Sequence, residues 1–143
     1  MRTPTLAFLL ASFFTVSALA QPAAAPAEPK EQAVKALTPD EAEKLINQRK
    51  DIIVLDVRLP EEYTEGHIPG AKNLSFIDLD FKERLKEFEG KPVIVHCAAG
   101  VRSTKAINVM KFRNFPELYH LETGIKGWKE AGKELVKSPA PLK

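Results

Sequence analysis

Val93-Ile94-Val95-His96-Cys97-Ala98-Ala99-Gly100-Val101-Arg102-Ser103 is the stretch that decides how this chain folds. Three β-branched residues lead through His96 into the only cysteine of the sequence. A short loop of small residues follows, and a helical pattern opens at Arg102 and Ser103. Strand, tight loop and helix N-terminus together make an anion cradle, because the first amides of a helix have no partner inside it. Ala98 and Ala99 are small enough to let the backbone N–H groups from Ala98 through Arg102 turn inward, and Gly100 supplies freedom at positive φ. A ring of donors, the helix dipole and the permanent charge of Arg102 all favour thiolate over thiol at Cys97; a free cysteine has a pKa of about 8.5. Cys97 is therefore the candidate nucleophile.

Working outward, the same pattern of apolar run and helical stripe repeats. Ile52-Ile53-Val54-Leu55 is a short unbroken apolar run, suited to a parallel strand buried on both faces. Asp56 and Arg58 stand at its carboxyl end, where open α/β sheets place their sites. Before it, Thr38-Pro39-Asp40-Glu41 has the chemistry of a capping box, with Pro39 at the first helical position and a helix fading near Arg49. Pro60-Glu61-Glu62-Tyr63 predicts one helical turn, and Lys72-Asn73-Leu74 a short strand. Apolar residues at Ile77, Phe81, Leu85 and Phe88 predict a helix in the later part of Ser75–Phe88, ending at Gly90. After the central loop come a helix from Ser103 to about Arg113, with Asn114 as a left-handed cap, a strand over Leu118–Leu121, and a helix over Gly124–Ala131 carrying Trp128. Strands alternating with helices imply an α/β domain: a small parallel sheet flanked by helices on both faces.

The ends read differently. Arg2, the uncharged apolar run from Leu6 to Val16 and the small-x-small triplet Ala18-Leu19-Ala20 form the pattern of a cleavable export signal, so residues 1–20 predict a signal peptide and a periplasmic or secreted product. Residues 21–36, rich in Ala, Pro, Glu and Lys, read as a flexible linker, 37–133 as the folded domain, and 134–143 as an irregular tail. The full chain carries 21 basic and 19 acidic residues, and loss of residues 1–20 removes one basic residue and no acidic one, leaving +1. So even a balance argues against nucleic acid as a partner and gives no reason to expect a membrane surface after signal cleavage. A single cysteine in an exported chain cannot form an internal disulfide; it is inert, intermolecular or reactive, and its place at a helix start favours reactive.

His96 should point opposite to Cys97 in a strand and serve structure. His67 sits in a Gly/Pro loop and should hold the turn, and His120 reads as plain strand surface. Three scattered histidines and one cysteine give no metal spacing, and no phosphate-binding glycine motif for a nucleotide occurs, so neither metal nor cofactor is expected.

Four motifs then resemble one family in the right order. Leu55-Asp56-Val57-Arg58 with Pro60-Glu61-Glu62-Tyr63, and Gly66-His67-Ile68-Pro69-Gly70-Ala71, are similar to the N-terminal signatures of rhodanese domains. Cys97-Ala98-Ala99-Gly100-Val101-Arg102-Ser103 resembles their active-site loop, and Leu121-Glu122-Thr123-Gly124-Ile125 with Trp128 their C-terminal signature. The match runs from about Leu37 to Gly132. Some thiosulfate-using members carry a basic residue where this chain has Ala98.

The resemblance implies a sulfurtransferase that moves a sulfane sulfur from a donor such as thiosulfate to cyanide or a thiol through a cysteine persulfide, with a thiol-redox protein as a further expected partner. Carried over, Cys97 holds the persulfide, and the amides of Ala98, Ala99, Gly100, Val101 and Arg102 cradle the outer sulfur. Arg102 and Arg58 help to bind an anionic donor, and Asp56 braces the site, although Asp56 and Arg58 can also simply pair with each other. Two other readings stay open. A phosphatase or arsenate reductase of the related fold has five residues between Cys and Arg, where Ala98–Val101 gives four; a non-catalytic rhodanese module would bind an anion or a protein.

Overall fold

Apolar runs of four residues are too short for helices and too continuous for strands with one wet face. The computed structural model, which describes residues 31–138, stacks them into one five-stranded sheet. Its strands are β1 (Val34–Leu37), β2 (Ile53–Asp56), β3 (Lys72–Asn73), β4 (Val93–His96) and β5 (Leu118–Leu121), in the order β1–β5–β4–β2–β3 and parallel throughout. The helices are α1 (Pro39–Gln48), α2 (Pro60–Glu65), α3 (Phe81–Arg84, continued by a 3-10 turn over Leu85–Glu87), α4 (Val101–Met110) and α5 (Gly124–Glu130).

Alternation along the strands sorts the core into two layers. Leu55, Val57, Val93, Val95, Cys97 and Leu118 face one way and pack with Phe81, Leu85, Ala106, Ile107 and Met110 of α3 and α4. Val54, Ile94 and Leu121 face the other way, against Ala42 of α1 and Ile125 and Trp128 of α5, with Tyr63 of α2 alongside. Helices thus cover both faces, as the strand–helix alternation predicts. The chain leaves β2 through α2 on the second face and β4 through α4 on the first. Connections diverging to opposite faces open a crevice at the carboxyl ends of the neighbouring strands β2 and β4. Their register pairs Asp56 with His96, so Arg58 and Cys97 lie just beyond, at the crevice.

Local chemistry accounts for the element starts. Thr38 caps α1 as expected: its hydroxyl accepts from the Glu41 N–H, and its own N–H donates to the Glu41 carboxylate at 2.9 Å. A cap of this kind is worth about 1 kcal/mol.

Several expectations need correction. The segment read as linker through Ala36 ends in a strand: β1 begins at Val34 and pairs with β5 from Val34↔Leu118 to Leu37↔Leu121. Only Leu37 of β1 is buried, so the run lacks the apolar signature of a central strand, and its edge position explains why. Ile77 is exposed and lies in a turn, so the helical stripe starts only at Phe81. The central helix starts at Val101, two residues before Ser103, and ends at Met110 with right-handed Lys111 as its cap; Asn114 does not cap it. Part of the segment read as an irregular tail is anchored, since Val136 and His67 exchange backbone hydrogen bonds at 2.9 Å. The proposed signal peptide, residues 21–30 of the linker and residues 139–143 lie outside the described residues.

Candidate active site

The loop between β4 and α4 is shaped by where its carbonyls go. The Cys97 and Ala98 carbonyls accept from the N–H groups of Ile125 and Lys126, at 2.9 and 3.1 Å, in the first turn of α5. The Gly100 carbonyl accepts from the Thr104 N–H and from the hydroxyls of Ser103 and Thr104. With the carbonyls committed outward, the amides are left to face the sulfur. Gly100 takes φ +95°, and a Cβ there would stand 2.5 Å from the Glu122 carbonyl oxygen. At Gly124 a Cβ would stand 2.4 Å from the Cys97 carbonyl oxygen. The loop and the start of α5 therefore lie backbone against backbone, which only glycine at both positions permits.

Cys97 is buried at the floor of this loop, 1% exposed. Its Sγ accepts from the Gly100 N–H at 3.2 Å and from the Ser103 hydroxyl at 3.5 Å. Burial pushes the thiol pKa up, but the Ser103 hydroxyl and the N–H groups of Ser103, Ala99 and Gly100 outweigh it and hold Cys97 below the ordinary thiol value. Of the five amides expected to face the sulfur, those of Ala99 and Gly100 do so, joined by Ser103.

Arg102 leaves the first turn of α4 and forks onto Glu62 of α2 at 2.5 and 2.8 Å. Glu62 is itself fixed by the Leu59 N–H at 3.1 Å. The Arg102 guanidinium holds the Glu62 carboxyl below the usual range, against the opposing effect of burial. Nothing in the sequence pairs residues forty apart, so Glu62 is a site neighbour that sequence reading missed. Asp56 and Arg58 pair with each other: Nε lies 3.0 Å from both carboxylate oxygens and Nη2 2.6 Å from one. Arg58 also donates to the Gly66 carbonyl, and the Asp56 carboxylate accepts from the Arg58 N–H. Arg58 still reaches the rim of the site, where with Glu62, Glu65, Ala98, Lys126 and Lys129 it lines a cleft of about 340 Å³ beside the loop.

The histidines divide. His96 is fully buried on the face opposite Cys97, 3.9 Å from Asp56, and burial lowers its pKa, so it stays neutral and structural as expected. His67 stacks on Tyr63 at 3.8 Å, donates to the Tyr63 carbonyl through Nδ1, and holds its loop. His120 contradicts its reading as strand surface: it is 8% exposed, and its Nε2 lies 2.8 Å from the Ser103 hydroxyl. The missed signal is alternation: His120 is in step with Leu118, whose face is the one that carries Cys97 and α4. Among the described residues, no three His, Cys, Asp or Glu side chains gather to hold a metal.

The model of the rhodanese-like domain matches residues 38–131. The chain is 32% identical over 88 residues to the thiosulfate sulfurtransferase GlpE of Pseudoalteromonas translucida, covering 62% of this chain and 83% of that protein. A rhodanese-related protein of Thermoplasma volcanium has a solved structure that matches with a TM-score of 0.64 at 28% identity, over 73% of this chain and 99% of that one. A thiosulfate sulfurtransferase from Pseudomonas aeruginosa matches with a TM-score of 0.65 at 28% identity, over 75% of this chain and 21% of the other.

Proposed function

The chain belongs to the rhodanese-like domain family, and from that premise we propose that it is a sulfurtransferase that carries a sulfane sulfur on Cys97. The observation that carries this reading is the position of the Cys97 sulfur, at the floor of a four-residue loop, where the N–H groups of Ala99 and Gly100 and the Ser103 hydroxyl reach it. A sulfur atom bound to Sγ would sit where those amides converge, and its negative charge would meet donors already in place.

The steps balance without a cofactor. The Cys97 thiolate attacks the outer sulfur of thiosulfate; an S–S bond forms to Sγ, the donor's own S–S bond breaks, and sulfite leaves with the electron pair. An acceptor thiolate or cyanide then attacks the outer sulfur of the persulfide, the bond to Sγ breaks, and the Cys97 thiolate returns. Near-complete burial of Cys97 favours donors that present one sulfur at a slender end. The same smallness speaks against phosphoryl transfer, since a tetrahedral phosphate needs a wider ring.

Mass spectrometry of the protein after exposure to thiosulfate tests the reading. The expected result is the mass of one added sulfur, removed by cyanide and absent in Cys97→Ser, with circular dichroism unchanged in that variant. No added sulfur on the wild type, or sulfur retained by the serine variant, overturns it.

A further inference from the structure

Sulfur transfer as written uses Cys97 and the amides around it, and leaves two buried polar side chains without a role. Ser103 is fully buried in the first turn of α4, and its hydroxyl lies 3.5 Å from Cys97 Sγ and 2.8 Å from His120 Nε2. The third neighbour of that hydroxyl, the Gly100 carbonyl, already accepts from the N–H and the hydroxyl of Thr104. Ser103 lies 2.9 Å from that carbonyl and can donate to it, but Thr104 already meets both of its lone pairs, so the Ser103 O–H can turn to His120 instead. Sulfur, hydroxyl and imidazole form one line from the floor of the loop to β5.

His120 completes that line at a second opening. With Thr104, Asn108, Lys111 and Glu122 it lines a cleft of about 230 Å³ that shares no lining residue with the cleft beside Ala98 and Lys126. The buried thiol thus has a polar connection to solvent that does not pass through the mouth used by a donor.

We propose that Cys97, Ser103 and His120 form a proton relay in which the thiol passes its proton to the Ser103 hydroxyl as Ser103 passes its own to Nε2 of His120, which keeps it while Cys97 stays thiolate. The S–H bond breaks as an O–H bond forms on Ser103; the original Ser103 O–H bond breaks as an N–H bond forms on Nε2; the electron pair stays on sulfur. Afterwards the imidazolium donates to the Ser103 oxygen, and Ser103 donates to the thiolate, so the same contacts serve both states. His120 acts through Ser103 and is a positioning residue that sets the thiolate fraction. The proposal rests on Cys97 being the nucleophile of the reading above.

Burial holds the His120 imidazole below its ordinary pKa, and Glu122 at the end of β5 offsets part of that. Lys111 at the end of α4 pairs with Glu31 at 3.2 Å. His96 on β4 faces the opposite side of the sheet, β1 contributes Val34 and Ala36 to the second cleft, and the charge of Arg102 is met by Glu62.

The test is the pH dependence of Cys97 itself, read by thiolate absorbance and by the rate of alkylation with iodoacetamide. Neither readout requires sulfur transfer. His120→Asn and Ser103→Ala should each raise the midpoint by about one unit, an approximately tenfold loss of alkylation rate below it. The double variant should shift no further than either single one, because both cut the same line. An unmoved midpoint in His120→Asn overturns the relay, and so do additive shifts. Should a variant fail to fold, the wild type answers: alkylating Cys97 should displace the NMR titration of the His120 imidazole, and an unchanged titration overturns the proposal. A protein with a coupled midpoint that never accepts sulfur from any donor would keep the relay and sink the sulfurtransferase reading.

Discussion

Two arginines face two carboxylates near the mouth of this site, and burial separates them. Arg58 and Asp56 are 6% and 0% exposed in their side chains, whereas Arg102 and Glu62 are 28% and 32% exposed. The first pair closes within three residues at the end of β2, and the Gly66 carbonyl takes a further guanidinium hydrogen bond. The second joins α4 to α2 through two bonds in partial contact with water. A pair withdrawn from water has no substitute when one partner goes, so it belongs to the architecture. An exposed pair contributes little to stability, and its cation can change partners. The geometry commits Arg58 to Asp56 and the Gly66 carbonyl and leaves Arg102 the arginine that can change partners.

Removing Arg58 should have the largest effect. Arg58→Met leaves the Asp56 carboxylate buried beside neutral His96 with no cation, a situation that costs about 3–5 kcal/mol. In a domain of this size the melting temperature should fall by at least about 10 °C. Adding Asp56→Leu should recover most of the loss, because the orphaned charge then disappears. Thermal denaturation of the single and double variants checks both statements. A single variant within 1 kcal/mol of wild type would erase the distinction between the two pairs.

Removing Arg102 should invert the pattern. Arg102→Ala breaks only a pair in partial contact with water, so stability should change by about 0–1 kcal/mol. Use of thiosulfate should suffer more: a hydrogen bond to a charged group is worth about 1.5–3 kcal/mol, so kcat/KM should fall about ten- to hundredfold. A neutral persulfide donor, with no charge to meet, should lose clearly less. Steady-state kinetics with both donors decides it, and equal losses would mean that Arg102 acts on loop shape.

What the sequence shows of this molecule follows the range of the forces involved. Local signals read well: the Thr38–Glu41 box, the apolar runs of β2 and β4 and the small-residue loop all act within a few residues, and each stands where expected. Opposition of His96 and Cys97 followed from strand alternation alone. Edge strand β1 escaped notice because one buried residue gives no pattern. Contacts between distant segments were also beyond reach. Glu62 meets Arg102 only because the crevice between β2 and β4 brings α2 to the loop, and His120 meets Ser103 only because β5 lies beside β4. Residue types announced the candidate nucleophile, but the groups that surround it are set by strand order.

The smallest expected effect comes from loosening the exposed pair without removing its cation. Glu62→Gln keeps the size of the side chain and an acceptor for Arg102 but removes the charge that holds the guanidinium. Glu62 has its pKa lowered in the folded protein, first of all by the Arg102 hydrogen bonds. A lowered acid stabilises the fold above its unfolded pKa of about 4.3, and that contribution fades as pH falls through the lower folded value. Partial exposure screens the pair, so the stability gap between wild type and variant should stay below about 1 kcal/mol at neutral pH and close in acid or high salt. The functional effect has the opposite sign. Arg102 released from Glu62 is available to an anionic donor, so the KM for thiosulfate should fall about 1.5- to fivefold, the factor that a pair of this strength can exert. Below the folded pKa of Glu62 the wild type has protonated its own carboxyl, and the two proteins should converge in KM. Michaelis kinetics over a pH series resolves this. A higher KM in Glu62→Gln at neutral pH would show that Glu62 aims Arg102 at the donor instead of withholding it, and the exposed pair would then be as much a part of the built site as the buried one.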